Sequence, residues 1–403
     1  MKKSMIVAAM LAMVATGANA KSATDSATIA KNKPVFTVVK QNPITSIKDQ
    51  NRSGTCWAYS TLSYFESEIL KHTGKTYDLS EMFVANKTYM DRATMAVRMH
   101  GDVSFSQGGS AYDVLYALQH YGIVPEGAMP APGTLTGDSL ANFGEFFDVM
   151  TPYVEAVAKS NAKKISSAWK SGLQGIIDSY IGKTPEKFTY QGKQYTPQSF
   201  CQSLGLNLDD YVTITSYTHH PMWSKFAVEV QDNWRWPLSY NVPMDDLCKI
   251  IDNAINNGYT VAWGGDVTED GFTRKGLGIA YDVKKVRSMA GTDADHWFKL
   301  SKDEKKEKFD SLGVNAPEVV PTQAMRQEAF DNWETTDDHG MHIYGIAKDQ
   351  NGKEYYMVKN SWGEYGDYKG TWYMTKAFVA YKTMDFMVNK NALPKDIRKK
   401  LGI

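Results

Sequence analysis

Cysteine is scarce in this sequence: its 403 residues include three cysteines, at positions 56, 201 and 248. A secreted scaffold held together by disulfides carries more cysteines, in even number, so that class of protein is excluded. One bridge at most can form. Pairing of Cys201 with Cys248 and two buried free thiols explain the sequence equally well, which leaves Cys56 as the cysteine with a distinctive neighbourhood.

Blocks of like charge and long hydrophobic runs are also lacking. Lysine plus arginine and aspartate plus glutamate number 45 each, and no basic block predicts an arm for nucleic acid. No run reaches the roughly 18 apolar residues that a membrane-spanning helix needs, so no membrane anchor is predicted. The 42% of apolar residues is enough to bury a sizeable core, and the length allows one large elaborated domain or two to three smaller ones.

The first twenty residues have the pattern of a secretory signal peptide. Lysines at positions 2 and 3 precede an apolar stretch over residues 5–16, and residues 18–20 (ANA) provide the small side chains that a signal peptidase reads. The apolar stretch is too short to span a bilayer. We therefore expect cleavage after Ala20 and export of the mature chain to the periplasm or outside the cell.

Hydrophobic periodicity predicts helices and strands along the mature chain. The predicted helices begin at Thr55 and cover 111–120 and 244–256, and a charged, solvated helical face is predicted over 299–310. The predicted strands are 35–39, 259–263, 341–347 and 353–360. Residues 349–352 (DQNG) between the last two strands are a strong signal for a hairpin turn.

These elements predict an α+β protein with three regions after the signal peptide. Residues 21–127 form an N-terminal arm and a helical lobe that carries Cys56. Residues 128–243, entered through the linker-like segment 130–133 (PAPG), form a mostly helical insertion rich in tyrosine and tryptophan. Residues 244–403 form a β-rich lobe that ends in a short tail.

Cys56 lies where a helix is predicted to begin. A thiol becomes a good nucleophile when it is largely ionised, and a helix N-terminus or a neighbouring imidazolium promotes that ionisation. Gln50 lies six residues earlier, in a loop that can fold back over the same site. Its side-chain amide and the main-chain N–H of Cys56 would then face a developing oxyanion. We predict Cys56 as nucleophile and Gln50 as oxyanion donor.

The downstream hairpin offers two candidate bases, His339 and His342, and Asn360 is placed to orient one of them. With a four-residue loop at 349–352, His339 opposes Trp362 and shares a face with Asn360, whereas His342 points to the other face. A slip of one residue reverses this result, so strand parity alone leaves both histidines open.

Three segments resemble the active-site segments of papain-like cysteine peptidases. Residues 50–60 (QNRSGTCWAYS) are similar to the family's cysteine segment, 338–341 (DHGM) to its histidine segment and 359–363 (KNSWG) to its asparagine segment. The anchors occur in the family's order of Gln, Cys, His and Asn. The resemblance selects His339 as the base, and it implies a two-lobed papain-like fold with a helical lobe and an antiparallel, barrel-like β lobe.

Two departures narrow the resemblance to one branch of the family. Ser53 replaces the first cysteine of the signature, so the disulfide that usually starts there cannot form. Cys56 and His339 lie about 280 positions apart, against roughly 130–150 in ordinary papain relatives. A long helical insertion without disulfide cysteines resembles the bleomycin hydrolase and bacterial aminopeptidase C branch, as does the glycine-rich segment 264–272.

That branch implies an aminopeptidase that needs no metal or organic cofactor, acts on peptides and assembles as a hexamer. In the family a C-terminal tail lies in the cleft and meets the free amino terminus of the substrate. The terminal segment 394–403 is shorter than that tail and differs from it in sequence. A cysteine endopeptidase of the same fold and a non-catalytic papain-fold binding protein are therefore kept as alternatives.

Three further residues are placed at the substrate-binding site. Gly108 and Gly109 would let an extended substrate backbone approach, although a plain turn at the entry of a helix explains them as well. Trp362 would shield the bond between His339 and Asn360 from water.

Two other motifs are rejected as sites. His219 and His220 are expected to point to opposite faces of a strand, without a suitably spaced carboxylate or cysteine, so no metal site is predicted. The Gly264–Gly265 pair lacks the context of a strand, a glycine-rich loop and a helix that a nucleotide site requires.

Overall fold

A computed structural model of the chain describes residues 33–132, 140–285, 301, 304 and 311–403. The predicted signal peptide, most of the N-terminal arm and nearly all of the predicted charged helix over 299–310 lie outside these residues. None of the helices within the described ranges is long and apolar enough to cross a membrane.

Three helices form the lobe that carries Cys56: α1 (Cys56–Thr73), α2 (Glu81–Arg98) and α3 (Ala111–His120). Helix α1 begins at the predicted position and ends at Gly74, whose left-handed conformation (φ 69°) returns its N–H to the Leu70 carbonyl. The bounds of α3 are as predicted. Helix α2 was not predicted, because its buried face includes polar side chains that blur the apolar period.

The insertion is helical in its first part. Helices α4 (Gly144–Ala158), α5 (Ala168–Tyr180) and α6 (Pro197–Ser203) share one hydrophobic core with α1 and α2, and strands β2 (Phe188–Tyr190) and β3 (Lys193–Tyr195) form a small hairpin between α5 and α6. The predicted insertion therefore packs as an extension of the helical lobe.

An eleven-stranded mixed sheet forms the second lobe, in the order β5–β6–β4–β13–β7–β10–β11–β12–β9–β8, with β1 paired to β10. Its strands are β1 (Thr37–Gln41), β4 (Tyr211–Thr215), β5 (Lys225–Phe226), β6 (Ser239–Asn241), β7 (Val261–Gly265), β8 (Phe272–Thr273), β9 (Leu277–Gly278), β10 (His339–Lys348), β11 (Glu354–Lys359), β12 (Thr371–Thr375) and β13 (Thr383–Asn389).

The sheet corrects the boundary expected at residue 243. Strands β4, β5 and β6 lie between residues 211 and 241 and belong to the large sheet, not to a helical insertion. The sequence of β4, YVTIT, is rich in β-branched residues, which favour a strand. Composition averaged over the whole block hid this local signal.

Among the described residues, the helices that accompany the strands include α7 (Met244–Asn256), α8 (Gln323–Asp331), α9 (Lys376–Lys382) and α10 (Lys395–Leu401). The bounds of α7 are as predicted, and its apolar stripe, which includes Leu247, Ile250 and Ile251, is fully buried against the sheet. All three cysteines are free. Cys201 packs on the helical lobe and Cys248 against α9, which excludes the bridge between them.

The β10–β11 hairpin differs from its predicted register near the turn and matches it near the candidate site. Lys348 pairs with Glu354, so the loop is one residue longer than predicted. A bulge between Ile343 and Gly345 absorbs the extra residue. His342 consequently pairs with Lys359, which is the register that places His339 and Asn360 on one face.

Candidate active site

Cys56 is the first residue of α1, so its main-chain N–H lies outside the hydrogen bonding of the helix. Strand β10 packs directly over it at Gly340, whose N–H lowers the pKa of the Cys56 thiol by favouring the thiolate. A β-carbon at residue 340 would lie 2.7 Å from Ser60 Oγ and 3.3 Å from the Cys56 carbonyl oxygen. Only glycine permits this close approach of strand and helix.

His339 is held by Asn360. The two side chains are joined by a bond of 2.8 Å between His339 Nε2 and Asn360 Oδ1, and the Ser361 N–H donates to the same oxygen over 2.8 Å. Because Oδ1 only accepts, Nε2 carries the proton and Nδ1 presents a lone pair. The ring of Trp362 packs against the imidazole with centroids 5.0 Å apart.

Gln50 is fixed by the segment that follows Asn360. Its main-chain N–H donates to the Ser361 carbonyl over 2.8 Å, and its Oε1 accepts from Ser361 Oγ over 2.6 Å. With Oε1 occupied, the Nε2 amide is left as the free donor of this side chain. The side chain is buried at the edge of the cavity that contains Cys56.

One cavity of about 400 Å³ collects the predicted residues. Its lining includes Gln50, Cys56, Gly108, Gly109, His339 and Trp362. Asn360 is buried behind His339. His342 is also fully buried, but its Nδ1 lies 2.9 Å from Ser63 Oγ and it does not line this cavity. The structure therefore joins the segments around residues 50, 56, 339 and 360, and it selects His339 over His342 by position.

Burial opposes the separate ionisation of both reactive groups. Burial raises the pKa of the Cys56 thiol to about 12, although the Gly340 N–H favours the anion, and the charges of Asp232 and Asp337 raise this pKa further. Burial likewise lowers the pKa of His339 to about 4, although its bond to Asn360 favours the cation. A helix N-terminus alone is therefore not enough to ionise Cys56. Transfer of the thiol proton to His339 keeps the net charge of the pair at zero and adds their mutual attraction.

Four carboxyl groups that were not predicted as site residues also line this cavity. They belong to Asp232, Asp337, Asp338 and Asp385. Burial raises the pKa of Asp338 to about 7 and that of Asp385 to about 6. Burial and the charges of Asp232, Asp385 and Asp338 raise the pKa of Asp337 well above its usual value. Asp337 and Asp338 directly precede His339 in the sequence. Residues 232 and 385 are distant from it in the sequence, and only the tertiary structure brings them to the cavity.

Asp232 and Asp337 differ in their partners. Asp232 pairs with the buried guanidinium of Arg92 over 3.1 Å. The Asp337 side chain makes no hydrogen bond or ion pair with the described part of the chain. Burial without a partner disfavours the ionised form of Asp337, and a cationic group of a ligand would offset that cost by pairing with its carboxylate.

Gly108 and Gly109 line the cavity at positions where neighbouring side chains leave no space for a β-carbon. A β-carbon at Gly108 would lie 1.9 Å from Asp232 Oδ2, and one at Gly109 would lie 2.8 Å from the ring of Trp57. The Gly108 carbonyl also accepts from Arg92 Nη1 over 2.6 Å. Gly108 therefore holds Asp232 and Arg92 against the cavity wall.

Replacing Gly108 by alanine is expected to displace Asp232 and to raise KM about tenfold or more, with a smaller change in kcat, because the substitution alters the wall and spares Cys56. Steady-state kinetics on a dipeptide or tripeptide would measure this split. Gly127→Ala is the matched control, since a β-carbon there meets nothing within 4 Å. An unchanged KM in Gly108→Ala would show that the wall does not position substrate.

His219 and His220 are not on a strand, which corrects the expectation that their rings diverge. They lie in a turn after β4, and their ring centroids are 4.7 Å apart. Glu229 approaches both rings. Glu229 follows His219 by ten residues and His220 by nine, a spacing that matches no recognisable metal-ligand motif. The cluster was therefore not predicted from the sequence.

Comparison with known proteins agrees with the geometry. The model of the Peptidase C1-like family matches residues 2–402. The chain belongs to that family. The chain is 24% identical to aminopeptidase G of Lactobacillus delbrueckii subsp. lactis, with 88% of this chain and 83% of the relative aligned. It is 22% identical to bleomycin hydrolase of Rattus norvegicus, with 92% and 86% aligned. These relatives confirm the predicted branch of the cysteine peptidases.

A solved structure of PepW from Lactobacillus rhamnosis HN001 superposes with a TM-score of 0.67 and 20% identity, over 94% of this chain and 86% of that one. This likeness confirms the papain-like fold of the C1-like chain.

The final segment of this family member packs on the β lobe. The Ile403 N–H donates to the Arg398 carbonyl over 3.2 Å, and Leu401 and Ile403 contact the core of the sheet. Within the described residues, nothing after Asp385 lines the cavity of Cys56.

Proposed function

We propose that this chain is an exported cysteine aminopeptidase that removes residues from the free amino termini of peptides. The observation that carries the proposal is the shared cavity of Cys56, His339 and Gln50, with Asn360 orienting the imidazole. Export is supported by the signal-peptide pattern of residues 1–20.

The chemistry follows from these positions. The Cys56 sulfur attacks the carbonyl carbon of the substrate as its proton passes to His339, whose Nδ1 is unprotonated at rest. The tetrahedral oxyanion accepts hydrogen bonds from Gln50 Nε2 and the Cys56 N–H. Collapse expels the amine, which takes the proton from His339, and leaves a thioester on Cys56. His339 then takes a proton from water, which attacks the thioester. The C–S bond breaks, the acid is released, and the Cys56 sulfur recovers its proton from His339.

Preference for a free amino terminus is supported by the acidic wall. A substrate ammonium group bound near Asp337 would neutralise a carboxylate that has no partner among the described residues, next to the paired Asp232. An N-acetylated peptide offers no positive charge there and leaves the carboxylate unpaired.

The endopeptidase alternative is favoured by the position of Ile403. Leu401 and Ile403 pack on the β lobe, and no described residue after Asp385 lines the cavity of Cys56. A cleft that this segment does not enter would accept a peptide on both sides of the scissile bond.

A pair of peptides that differ only in N-acetylation tests the proposal. We expect kcat/KM for the blocked peptide to be lower by about two orders of magnitude, the cost of one unpaired charge in a partly buried site. Mass spectrometry of the products would show single residues released from the free peptide. In Asp337→Asn the ratio should shrink, whereas the exposed Asp396→Asn should leave it unchanged. Equal turnover of both peptides would establish the endopeptidase, and no turnover of either would favour a binding protein.

A further inference from the structure

A second cluster of reactive side chains lies outside the cavity of Cys56. His219 Nε2 lies 3.0 Å from one oxygen of the Glu229 carboxylate, and His220 Nε2 lies 3.0 Å from the other. One ligand atom from each residue falls within 4.8 Å of the others. Two donors that each lie about 2.0–2.2 Å from one tetrahedral zinc ion are separated by roughly 3.4 Å, so shifts of a few tenths of an ångström would let an ion replace these two contacts.

The surrounding residues hold the two imidazoles in place. The ring of His220 stacks on Phe226 with centroids 4.2 Å apart, and the ring of His219 is parallel to Phe330. The His219 Nδ1 also lies 3.3 Å from the side-chain Oε1 of Gln327, which can accept the proton of that nitrogen and leave Nε2 free for a metal. Fixing the second ring nitrogen in this way is what an outer ligand does for a histidine that binds a metal.

The turn that carries the histidines is also anchored. The Asn241 side-chain amide donates to the carbonyls of Tyr217, His220 and Pro221, over 2.8, 3.0 and 3.1 Å. Asn241 is fully buried on β6. The turn is therefore held by the sheet, and the positions of the two rings do not depend on Glu229 alone.

We propose that His219, His220 and Glu229 form a binding site for a divalent cation of the zinc type. Two neutral imidazoles and one carboxylate are the ligand set that suits zinc, with water in the remaining position. The site is half-exposed, so the ion enters from solvent. This proposal is independent of the peptidase chemistry.

The site has a structural consequence for the cavity. Glu229 belongs to the segment that supplies Val228, Val230 and Asp232 to the cavity wall. A cation shared by Glu229 and the histidine turn would tie that wall to the large sheet. We expect bound zinc to stabilise the folded protein, because it binds the folded state in preference to the unfolded chain.

Zinc chloride added to the metal-free protein in a Cys56→Ala background tests the site, since this background removes zinc binding by the reactive thiol. Isothermal titration is expected to give about one zinc ion per chain, and thermal unfolding should shift upward. His220→Ala and Glu229→Gln should each weaken binding about tenfold or more. His120→Ala and Glu328→Gln, which change exposed side chains of the same types, should bind as the parent does.

Cobalt replacement supplies a spectroscopic readout that is independent of stability. A site of nitrogen and oxygen ligands should give visible ligand-field bands without the near-ultraviolet charge transfer of thiolate ligands. Absence of binding in the parent would overturn the proposal, and so would equal affinity in His220→Ala. Two imidazole N–H groups that donate to Glu229 would then account for both 3.0 Å distances.

Discussion

Replacement of Cys56 by alanine is expected to lower kcat/KM for peptides by about four orders of magnitude or more. The sulfur of Cys56 is the proposed nucleophile, and an alanine side chain cannot form the thioester. The fold should be retained, because Cys56 begins a helix whose interior is unchanged and whose buried residues still pack in the core of the helical lobe. Turnover measured beside far-ultraviolet circular dichroism and the thermal midpoint separates chemistry from folding.

Cys201 provides the matched control for this substitution. It is also a buried free cysteine, but it lies on the helical lobe outside the cavity of Cys56. Cys201→Ala should keep nearly the parent activity and lose only a modest part of the free energy of unfolding. If Cys56→Ala retained turnover while Cys201→Ala lost it, the nucleophile would be misassigned.

Removal of the imidazole is expected to change how the reactivity of the Cys56 thiol depends on pH. In the parent, the Cys56–His339 pair holds one proton between pH values of about 4 and 12, which are the pKa values that burial gives to the imidazole and the thiol. Transfer of that proton from Cys56 to His339 does not change the number of protons bound to the pair, so the population of the ion pair is independent of pH in this range. Alkylation by uncharged iodoacetamide should therefore vary little between about pH 5 and 9, and should fall about tenfold per unit below pH 4.

In His339→Ala the rate of alkylation should instead rise steadily with pH. Without a partner, the buried thiol keeps its raised pKa, so the thiolate fraction is small at neutral pH and grows about tenfold per pH unit. At pH 6 alkylation should be slower than in the parent by about three orders of magnitude or more. Labelling quantified by mass spectrometry resolves Cys56 from Cys201 and Cys248, whose pKa values burial raises to about 11. Parent-like labelling of Cys56 in His339→Ala would rule out this base.

The hairpin shows how local sequence and tertiary structure divide the information. The turn signal at 349–352 and the alternation of apolar residues predicted two strands, because turn chemistry and strand period are local properties. They did not predict the bulge between Ile343 and Gly345. A bulge responds to packing against both neighbouring strands and changes no residue type in a recognisable way. The correct pairing of His339 with Asn360 thus rested on the resemblance to a family, and not on counting residues.

The segment from 211 to 241, in contrast to the hairpin, contains strands that were not predicted from the sequence. Its strands are short and separated by turns, so averaged composition grouped them with the helical insertion. They join the large sheet because β4 pairs with β13, which lies more than 140 residues later in the chain, and β6 pairs with β4. Pairing between distant segments leaves little trace in either segment alone, which explains why the boundary at 243 did not match the architecture.

The sequence by itself predicted Cys56 as nucleophile, Gln50 as oxyanion donor and His339 with Asn360 as base and orienting amide, because each belongs to a short motif whose residue types this chemistry requires. It also determined the helices with a clear apolar face, such as α7. Only the tertiary structure decided which carboxylates line the cavity, why residue 108 must be glycine, and that His219 and His220 meet Glu229. These are contacts between segments distant in the chain, where close packing, and not local preference, sets the neighbours.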